Sequence, residues 1–487
     1  MYDVVIIGAG VVGTGIAREL ARYKLNIAVL EAGSDVAVGS SGANSGIVHA
    51  GYDCKPGTLM ARLNVQGNAM FDEISRELDV PFKRNGSLVL AFNEDDISQL
   101  ELLMTQGIRN GVPDLQILSG EEVLEMEPNV SSDVIAALWA PTGGITCPYG
   151  LAIAMAENAA DNGVEFYFEH RVEYIEKKEN GVFRIVTSRR DFAARYIVNA
   201  AGINGDVISK MAGDDSFSIH PRKGEYCLYD RKWGNTVKRT IFQPPSKMGK
   251  GVLVTPTVDG NLLVGPSAVD TDKRDDDYTS AEGLDFVYNI ALKSVPSLSG
   301  DGVITVFAGL RAIADGGDFI IRPSYKVEGF IHAAGICSPG LTAAPAIARE
   351  VAAILARLSG ELEPNKAFNP LRKGIKRFRD MDWEARAQLV EEDPRYGRIV
   401  CRCETVTEGE IVEALKSKLP VNAIDAIKRR TRAGMGRCQG GFCTPRIMEI
   451  VERELGIPME CITKKGGSSR IVLGKIKDFL KEGEGIE

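Results

Sequence analysis

The N-terminal segment constrains the fold most: an apolar strand runs into a glycine-rich turn and then a helix. Val4–Ile7 are all apolar, and Gly8, Gly10 and Gly13 follow with the spacing Gly-x-Gly-x-x-Gly. In this spacing the first glycine makes a tight turn, the second lets backbone approach a pyrophosphate, and the third lets helix and strand pack closely. The helix N-terminus offers unpaired N–H groups to the phosphates. The segment therefore predicts a dinucleotide site.

A second predicted strand, Ile27–Leu30, ends directly before Glu31. This acid follows the glycines by about 20 residues, the position from which a carboxylate accepts hydrogen bonds from ribose hydroxyls. Such a unit binds either NAD or FAD. The chain then enters a Gly- and Ser-rich loop over residues 39–52, where an NAD domain would usually proceed to another helix and strand.

This loop resembles the one that flavoproteins of the D-amino-acid oxidase superfamily carry over the flavin. Two later strand-to-glycine segments, residues 196–205 and 330–342, resemble the same superfamily. The resemblance implies that both return to the dinucleotide and that backbone around Val172 meets the adenine. The residues it assigns to FAD are Gly8, Gly10, Gly13, Glu31, Ser40, Ser41, Asn44, Ser45, Val172, Ala201, Gly202, Gly335, Gly340, Leu341 and Thr342.

Composition and charge argue against several function classes. The chain has 487 residues and a formal net charge of -8, so it is a poor general binder of nucleic acid, which needs a basic surface. No basic region precedes the first strand, and no apolar run reaches the roughly 18 residues of a membrane span. We expect a cytoplasmic protein, whose contact with the inner membrane surface would be peripheral and made through a partner.

Five of the nine cysteines lie in the last fifth of the chain. Cys401 and Cys403 form a Cys-x-Cys pair, and Cys438 and Cys443 are separated by four residues. Four thiolates in two close pairs hold either zinc or a [2Fe-2S] cluster. Cys461 lies outside the pairs and is assigned no role.

The same segment resembles the bacterioferritin-associated ferredoxin family, which implies a [2Fe-2S] cluster on these four thiolates. Nearby glycines would bring backbone N–H groups close to the cluster sulfurs and tune the potential; they are Gly434, Gly436, Gly440 and Gly441. A flavin accepts a hydride, and an iron–sulfur cluster carries its electrons away one at a time.

The predicted fold class is α/β. A Rossmann-like FAD-binding domain is interleaved with a mainly antiparallel β substrate domain, and a small α-rich [2Fe-2S] module follows. The predicted boundaries are 1–358 for the oxidoreductase, with its substrate part mainly in 80–140 and 216–305, then 359–397 for a linker, 398–455 for the module and 456–487 for the tail. The basic run Arg372–Arg379 is interpreted as a solvated linker or helix face. Arg470–Leu480 has a helical pattern.

Two enzyme families share features with this chain. Arg430–Gly436 followed by Cys438-Gln-Gly resembles the large subunits of anaerobic glycerol-3-phosphate dehydrogenases, although Pro339–Thr342 stands where those enzymes carry Gly-Lys-Leu-Thr. Other stretches resemble L-2-hydroxyglutarate dehydrogenase, namely residues 44–51, 55–57, 222–226 and 309–312.

Both resemblances imply a secondary alcohol next to an anionic group. A hydride leaves the carbinol carbon while a base takes the hydroxyl proton. We predict that His49 is this base and that Arg311 binds the anion, since Arg presents a fixed fork of donors. The alternative for each is a structural histidine or a surface arginine. Further candidates on the substrate side are Arg222, Lys223 and Tyr226, with Arg322 as a second anion contact.

The function expected from these features is oxidation of sn-glycerol 3-phosphate to dihydroxyacetone phosphate. Electrons would pass from FAD through the cluster to a partner, which the resemblance implies is a second flavoprotein or other redox subunit. The alternatives are a 2-hydroxyglutarate dehydrogenase, an amino-acid or opine dehydrogenase subunit, and an electron-transfer subunit without a substrate pocket.

Overall fold

The computed structural model describes residues 1–245 and 251–474. Its strands are β1 Tyr2–Ile7, β2 Ile27–Leu30, β3 Ile47–Val48, β4 Phe82–Lys83, β5 Ser87–Ala91, β6 Gln116–Ser119, β7 Ala136–Ala140, β8 Gly144–Thr146, β9 Glu165–Tyr167, β10 Val172–Lys177, β11 Phe183–Thr187, β12 Asp191–Asn199, β13 Ile219–Tyr229, β14 Thr240–Phe242, β15 Leu253–Pro256, β16 Leu262–Gly265, β17 Val269–Asp270, β18 Val303–Ala314, β19 Ile320–Pro323, β20 Phe330–Ala334, β21 Ile399–Cys401 and β22 Val406–Thr407.

The α-helices are α1 Val11–Leu20, α2 Leu59–Glu77, α3 Glu94–Asn110, α4 Gly120–Met126, α5 Pro148–Asp161, α6 Gly205–Met211, α7 Ala281–Ser294, α8 Gly340–Ser359, α9 Trp383–Glu392, α10 Glu408–Leu415, α11 Ile424–Thr431 and α12 Thr444–Leu455. Contacts divide the chain into two units. The flavoprotein unit contains Met1–Ala32 and Val36–Lys373, and the cysteine unit contains Gly33–Asp35 and the chain from Gly374 onward. No helix of the described residues has both the length and the apolar character that crossing a bilayer requires.

A parallel sheet forms the centre of the flavoprotein unit. Strands β9, β2, β1, β12 and β20 pair in parallel in that order, so their carboxyl ends meet at one edge. The antiparallel strands β10 and β11 extend from the first half of β12, and β19 pairs with β20. Ligands of open α/β sheets bind outside the carboxyl ends of the strands. In this sheet, those ends lead into the predicted glycine segments.

Helices cover this sheet because its central strands are apolar on both faces. Val4, Val5 and Ile6 of β1 are fully buried, and α1 packs against α5 and α8. Burying each such side chain contributes roughly 1.5–3 kcal/mol, which strongly favours one register for the strand. The C-terminal ends of β1 and β12 are thereby held side by side, with Ile7 paired to Asn199.

A second, mainly antiparallel sheet belongs to the same unit. Its strand order is β17-β13-β16-β15-β14-β5-β7-β6, and β18 pairs along the whole of β13. One pair, β14 with β5, is parallel. The core beneath it contains Leu88, Tyr229 and Val264, each at 0 % exposure. Its strands come from the two predicted substrate segments, and β18 extends beyond them to Ala314.

The cysteine unit has its own apolar core, formed from the β21–β22 hairpin and helices α10, α11 and α12. Thr407 and Glu410 form a reciprocal capping box at the start of α10, which satisfies two otherwise unpaired N–H groups. Asp35 belongs to this unit as well. Its carboxylate is fully buried and accepts hydrogen bonds from Arg429 and Arg430.

Two element boundaries differ from those predicted. The sequence pattern predicts an amphipathic helix over Ala344–Leu358, but α8 begins earlier, at Gly340, since the Ala343 N–H donates to the Pro339 carbonyl at 3.0 Å. Strand β12 begins before Tyr196, because its first half gains a partner in β11. The predicted C-terminal helix is absent from residues 470–474, and the rest of it lies outside the described residues.

The basic run Arg372–Arg379, interpreted as a solvated linker or helix face, is not solvated at two of its arginines. The run is followed by helix α9, whose first turn is capped by the Asp382 side chain. In the flavoprotein unit, Arg372 is bound to Glu157 at 2.6 Å and is 12% exposed in its side chain. In the cysteine unit, Arg379 donates to the buried Glu404 at 2.7 Å. The sequence pattern does not reveal these two ion pairs, because Glu157 and Glu404 lie far along the chain from Arg372 and Arg379.

Candidate functional site

The turn after β1 leaves no room for side chains at two predicted glycines. Gly8 has a φ of +108°, and a Cβ added there would lie 2.5 Å from the Ala200 carbonyl oxygen. A Cβ added at Gly13 would lie 1.9 Å from the Gly8 carbonyl oxygen. The helix that starts after Gly10 has no side-chain cap and no acid in its first turn. This arrangement presents N–H groups to an anion, and it fits a diphosphate.

The acid at the end of β2 reaches the same turn. Glu31 Oε2 accepts a hydrogen bond from the Ala9 N–H at 2.8 Å. The Glu31 backbone bonds to the segment that leads into β10: its carbonyl accepts from His170 N–H at 2.8 Å. Val172 begins that strand and is 7% exposed, so its side chain lies in the core. These contacts bring the ribose candidate and the adenine candidate to one end of the sheet.

The Gly- and Ser-rich loop folds back over the start of α1. Ser41 Oγ accepts from Val11 N–H at 2.9 Å, and Ser40 Oγ donates to the Leu310 carbonyl of β18 at 2.5 Å. The Asn44 amide spans the loop, donating to the Ser41 carbonyl at 2.9 Å. The loop therefore links the diphosphate turn to the second sheet.

The two later glycine segments also lie at the carboxyl ends of strands in the first sheet. Ala201 and Gly202 follow β12, and Gly335 follows β20 with a φ of +65°. Helix α8 then starts at Gly340 without a side-chain cap or an acid in its first turn. Leu341 and Thr342 occupy this first turn, and the Thr342 hydroxyl accepts from His49 N–H at 2.9 Å.

His49 contacts the start of α8 and strand β14 of the second sheet. Its Nε2 atom lies 3.2 Å from Ser338 Oγ, just before α8, and its ring centroid lies 6.0 Å from that of Phe242 in β14. Asn68 fixes the backbone beneath it by donating to the His49 carbonyl at 3.0 Å. Because the ring is only half-buried, it can exchange a proton with a bound molecule.

Three predicted substrate residues, Arg222, Tyr226 and Arg311, lie on one face of the second sheet. Arg311 and Tyr226 point to the same face, because Arg222, Gly224 and Tyr226 lie opposite Arg311, Gly309 and Phe307 in the β13–β18 register. Arg311 Nη2 donates to the Ser267 carbonyl at 3.1 Å. Burial raises the pKa of Tyr226, while contacts from Arg311 and a hydrogen bond with Ser45 act in the opposite direction.

Glycine makes room for the Arg311 side chain. A Cβ at Gly224 would lie 2.6 Å from Arg311 Nη2, and one at Gly309 would lie 2.2 Å from the Ala43 carbonyl oxygen. Tyr226 is 5% exposed and stacks on Phe307 with centroids 4.9 Å apart. The Arg311 guanidinium, the Tyr226 phenol and the Gly- and Ser-rich loop of residues 39–52 thus meet at strands β13 and β18 of the second sheet.

The other substrate candidates lie elsewhere or are already paired. Lys223 points to the opposite face of β13 and binds Asp276 at 3.1 Å. Arg322 lies on β19 of the first sheet, where it donates to Ser216 Oγ at 2.9 Å and covers the Tyr325 ring. Arg222 shares the face of Arg311, but its guanidinium binds Asp270 at 2.5 Å. The structure therefore does not bring Lys223 or Arg322 to the group around Arg311.

Sequence reasoning missed two members of this site. Ser338 contacts His49, and Ser267 supplies the carbonyl that orients Arg311. Ser338 had a usable signal, since it directly precedes the Pro-Gly-Leu-Thr stretch at the start of α8. Ser267 had none, because only the pairing of distant strands brings it near.

The four thiols of the two Cys motifs also form pairs, but each pair joins one cysteine of the first motif to one of the second. Cys403 and Cys438 have their Sγ atoms 3.8 Å apart, and Cys401 hydrogen bonds to Cys443. Two sulfurs bound to one tetrahedral metal at about 2.3 Å lie about 3.8 Å apart. No three ligating side chains of the described residues converge on a single ion. The paired thiols fit two irons with two thiolates each.

Backbone N–H groups surround these sulfurs. Cys401 accepts from the N–H groups of Gly434 and Glu404, and Cys438 from those of Phe442, Gly440 and Gly441. The contact with Cys443, together with these N–H groups, lowers the pKa of Cys401 to about 6. Gly436 leaves no room for a side chain, because a Cβ there would lie 2.2 Å from the Cys403 Cβ. Each pair therefore holds one thiol whose pKa is lowered, Cys401 or Cys438, beside a partner whose pKa is raised, Cys443 or Cys403.

Comparisons with known proteins agree with both sites. Residues 3–354 match the family described as FAD dependent oxidoreductase, and residues 399–453 match the BFD-like [2Fe-2S] binding domain. The first match covers the strand-turn-helix unit, His49 and Arg311, and the second covers all four paired cysteines.

Three similar proteins bear on the chemistry. The chain is 51% identical to a glycerol 3-phosphate dehydrogenase of Caloramator mitchellensis over 481 residues, which is 99% of this chain and 100% of the relative. It is 30% identical to human mitochondrial L-2-hydroxyglutarate dehydrogenase over 316 residues, covering 61% and 68% of the two chains.

A solved structure of dithionite-reduced L-alpha-glycerophosphate oxidase from Mycoplasma pneumoniae, with FAD bound, is 34% identical with a TM-score of 0.73, covering 76% of this chain and 98% of that one. With this likeness and the two sites above, the chain belongs to the FAD-dependent oxidoreductase family and carries a C-terminal BFD-like [2Fe-2S] domain.

Proposed function

We propose that this protein oxidises sn-glycerol 3-phosphate to dihydroxyacetone phosphate. The observation that carries the proposal is the 51% identity to a glycerol 3-phosphate dehydrogenase, which extends over both the flavoprotein and the cysteine segments. The L-2-hydroxyglutarate relative is 30% identical and matches 61% of the chain. The geometry around Arg311 is compatible with either anion, so substrate choice rests on the full-length match.

Arg311 is proposed to bind the phosphate. Its guanidinium donates to the Ser267 carbonyl at 3.1 Å and hydrogen bonds to Tyr226, and its further N–H groups are proposed to bind the ligand. A planar fork of donors suits two phosphate oxygens, and each charge-assisted bond is stronger than a neutral one. Tyr226 lies beside it and is rigidly stacked on Phe307. Its hydroxyl is proposed to add one neutral donor to the same anion.

His49 is proposed to accept the proton of the C2 hydroxyl. As that proton leaves, C2 loses its hydrogen as a hydride and the carbon becomes a ketone, so two electrons and two protons depart. Ser338 lies 3.2 Å from His49 Nε2 and fixes the ring by one hydrogen bond. Bound FAD supplies the acceptor of that hydride, and the cluster supplies a one-electron outlet.

The electrons are proposed to leave through the cluster to a protein acceptor. This acceptor is a second redox subunit or a separate carrier protein. The cluster ligands, in this proposal, are Cys401, Cys403, Cys438 and Cys443. In this proposal the oxidoreductase extends to residue 358, and the [2Fe-2S] module spans residues 398–455.

Anaerobic bleaching of the purified flavin tests the proposal. The protein is mixed with glycerol 3-phosphate, L-2-hydroxyglutarate or glycine, and flavin absorbance is followed in a stopped-flow instrument. Fast bleaching by glycerol 3-phosphate alone is expected. Bleaching by L-2-hydroxyglutarate but not by glycerol 3-phosphate would replace the substrate and keep the chemistry. Bleaching by glycine alone would assign the chain to amine oxidation.

A further inference from the structure

The two thiol pairs of the cysteine unit differ sharply in exposure. Cys401 and Cys443 are each 1% exposed, whereas Cys403 is exposed and Cys438 is half-buried. A cluster held by these pairs has one iron inside the unit and one at its surface. An electron that leaves for another protein crosses the shortest gap from the surface iron.

An aromatic ring stands beside the exposed pair. Phe442 is 84% exposed, and its backbone N–H donates to the Cys438 sulfur. A single exposed apolar side chain needs no explanation by itself. Phe442, however, is tied to the backbone that holds the sulfur, so its position relative to the exposed pair is fixed. Protein interfaces are enriched in aromatic residues and arginine at their centres.

The exposed charged residues next in sequence to this pair and ring are basic. Arg402 and Arg437 are exposed and directly precede the exposed Cys403 and the half-buried Cys438, and Arg446 is exposed in the first turn of α12. The sequence from Gly434 to Arg446 contains no acid. The nearest acid in the hairpin, Glu404, is 1% exposed and bound by Arg379 and Arg432. A basic surface thus occurs on a chain of net charge -8.

We propose that this outer face, formed by Arg402, Cys403, Arg437, Cys438 and Phe442, docks an acidic protein that carries a one-electron cofactor. In each encounter the reduced cluster loses one electron and the cofactor of the partner gains one, with no bond made or broken. Complementary charge accelerates association and sets orientation. The inference rests on the proposed function only for the source of the electrons, which a chemical reductant can replace.

Stopped-flow electron transfer from holoenzyme tests this docking. The enzyme is reduced anaerobically with stoichiometric dithionite, then mixed with the soluble domain of cytochrome b5, an acidic acceptor, or with cytochrome c, a basic one. We expect cytochrome b5 to react with a larger rate constant than the difference in reduction potential alone would give. This rate constant should fall about tenfold between about 10 mM and about 200 mM salt. Cytochrome c should show no such fall.

Variants locate the effect. Arg437→Glu and Arg402→Glu should each slow transfer to cytochrome b5 about tenfold, and Phe442→Ala should slow it several-fold, with cluster absorbance and iron content unchanged. Lys416→Glu is the matched control, since it makes the same charge change at the exposed C-terminal end of α10. Equal rates for the arginine variants and the wild type, or a salt dependence unaltered by them, would overturn the proposal.

The two proposals fail separately. If glycerol 3-phosphate does not bleach the flavin but the arginine variants slow transfer from the dithionite-reduced enzyme, the substrate is wrong and the docking face stands. If substrate bleaches the flavin normally and the variants transfer electrons to cytochrome b5 at the wild-type rate, the docking face is wrong and the substrate stands.

Discussion

The Sγ atoms of Cys403 and Cys438 lie 3.8 Å apart across 35 sequence positions. Cys403 is nearer in sequence to Cys401, but it contacts the cysteine of the other motif. This crossed pairing ties the β21–β22 hairpin to the turn before α12. Loss of one ligand is therefore expected to release the cluster and to leave the flavoprotein unit functional.

Cys403→Ala is the test of that ligand role. The variant should lose cluster absorbance and iron, because one iron would retain a single thiolate. Glycerol 3-phosphate should still bleach its flavin. Cys461→Ala provides the control, since that thiol is exposed and outside both pairs. Full iron content in Cys403→Ala would show that the residue is not a ligand.

Gly13→Ala should abolish FAD binding. The added Cβ would lie 1.9 Å from the Gly8 carbonyl oxygen, so the turn and helix α1 must separate. The measurement is the ratio of flavin to protein after purification. Gly15→Ala, two residues further along α1, should keep its flavin, because its Cβ would meet Met155 at an ordinary 3.5 Å. Equal flavin content in both variants would contradict the close approach.

Arg311→Ala should raise the KM for glycerol 3-phosphate about 30-fold or more, as expected for the loss of a charge-assisted contact of about 2 kcal/mol. Flavin content should stay the same. Arg322→Ala is the comparison, because Arg322 lies on β19 of the first sheet and its guanidinium binds Ser216. The steady-state assay uses an artificial dye as acceptor. An unchanged KM in Arg311→Ala would remove its role as the anion site.

His49→Ala should slow single-turnover flavin reduction about 100-fold or more, since a positioned base contributes factors of that size. Its FAD should remain bound. His220→Ala offers a control, because that ring is largely exposed and paired with Asp315. Stopped-flow absorbance of the flavin gives the rate directly. A wild-type rate in His49→Ala would identify His49 as a structural residue.

Local patterns were sufficient to predict the dinucleotide end of the fold. The glycines, the acid at the end of β2 and the buried strands lie within about 30 residues, so their physical roles can be assigned from spacing alone. The turn around Gly8 and Gly13 has the close approach that this spacing requires. Likewise, the paired cysteines pointed to a metal module before any contact was known.

Contacts between distant strands were harder to predict. Tyr226 and Arg311 meet only because β13 and β18 pair in one register, and a slip by one residue would turn Arg311 to the other face. The stretch of residues 222–226 predicts that Lys223 contacts the substrate, although alternation along β13 places it on the face opposite Arg222. The crossed pairing of cysteines depends in the same way on how the hairpin meets α12.

Rapid freeze-quench spectroscopy tests directly whether electrons pass from glycerol 3-phosphate through the flavin to the cluster. The holoenzyme is mixed anaerobically with glycerol 3-phosphate without any acceptor, and the paramagnetic signal of a reduced [2Fe-2S] cluster is followed beside flavin absorbance. We expect the flavin to bleach first, the cluster signal to appear next, and the flavin of Cys403→Ala to bleach without that signal. An intact cluster that stays oxidised while the flavin is fully reduced by substrate would contradict it.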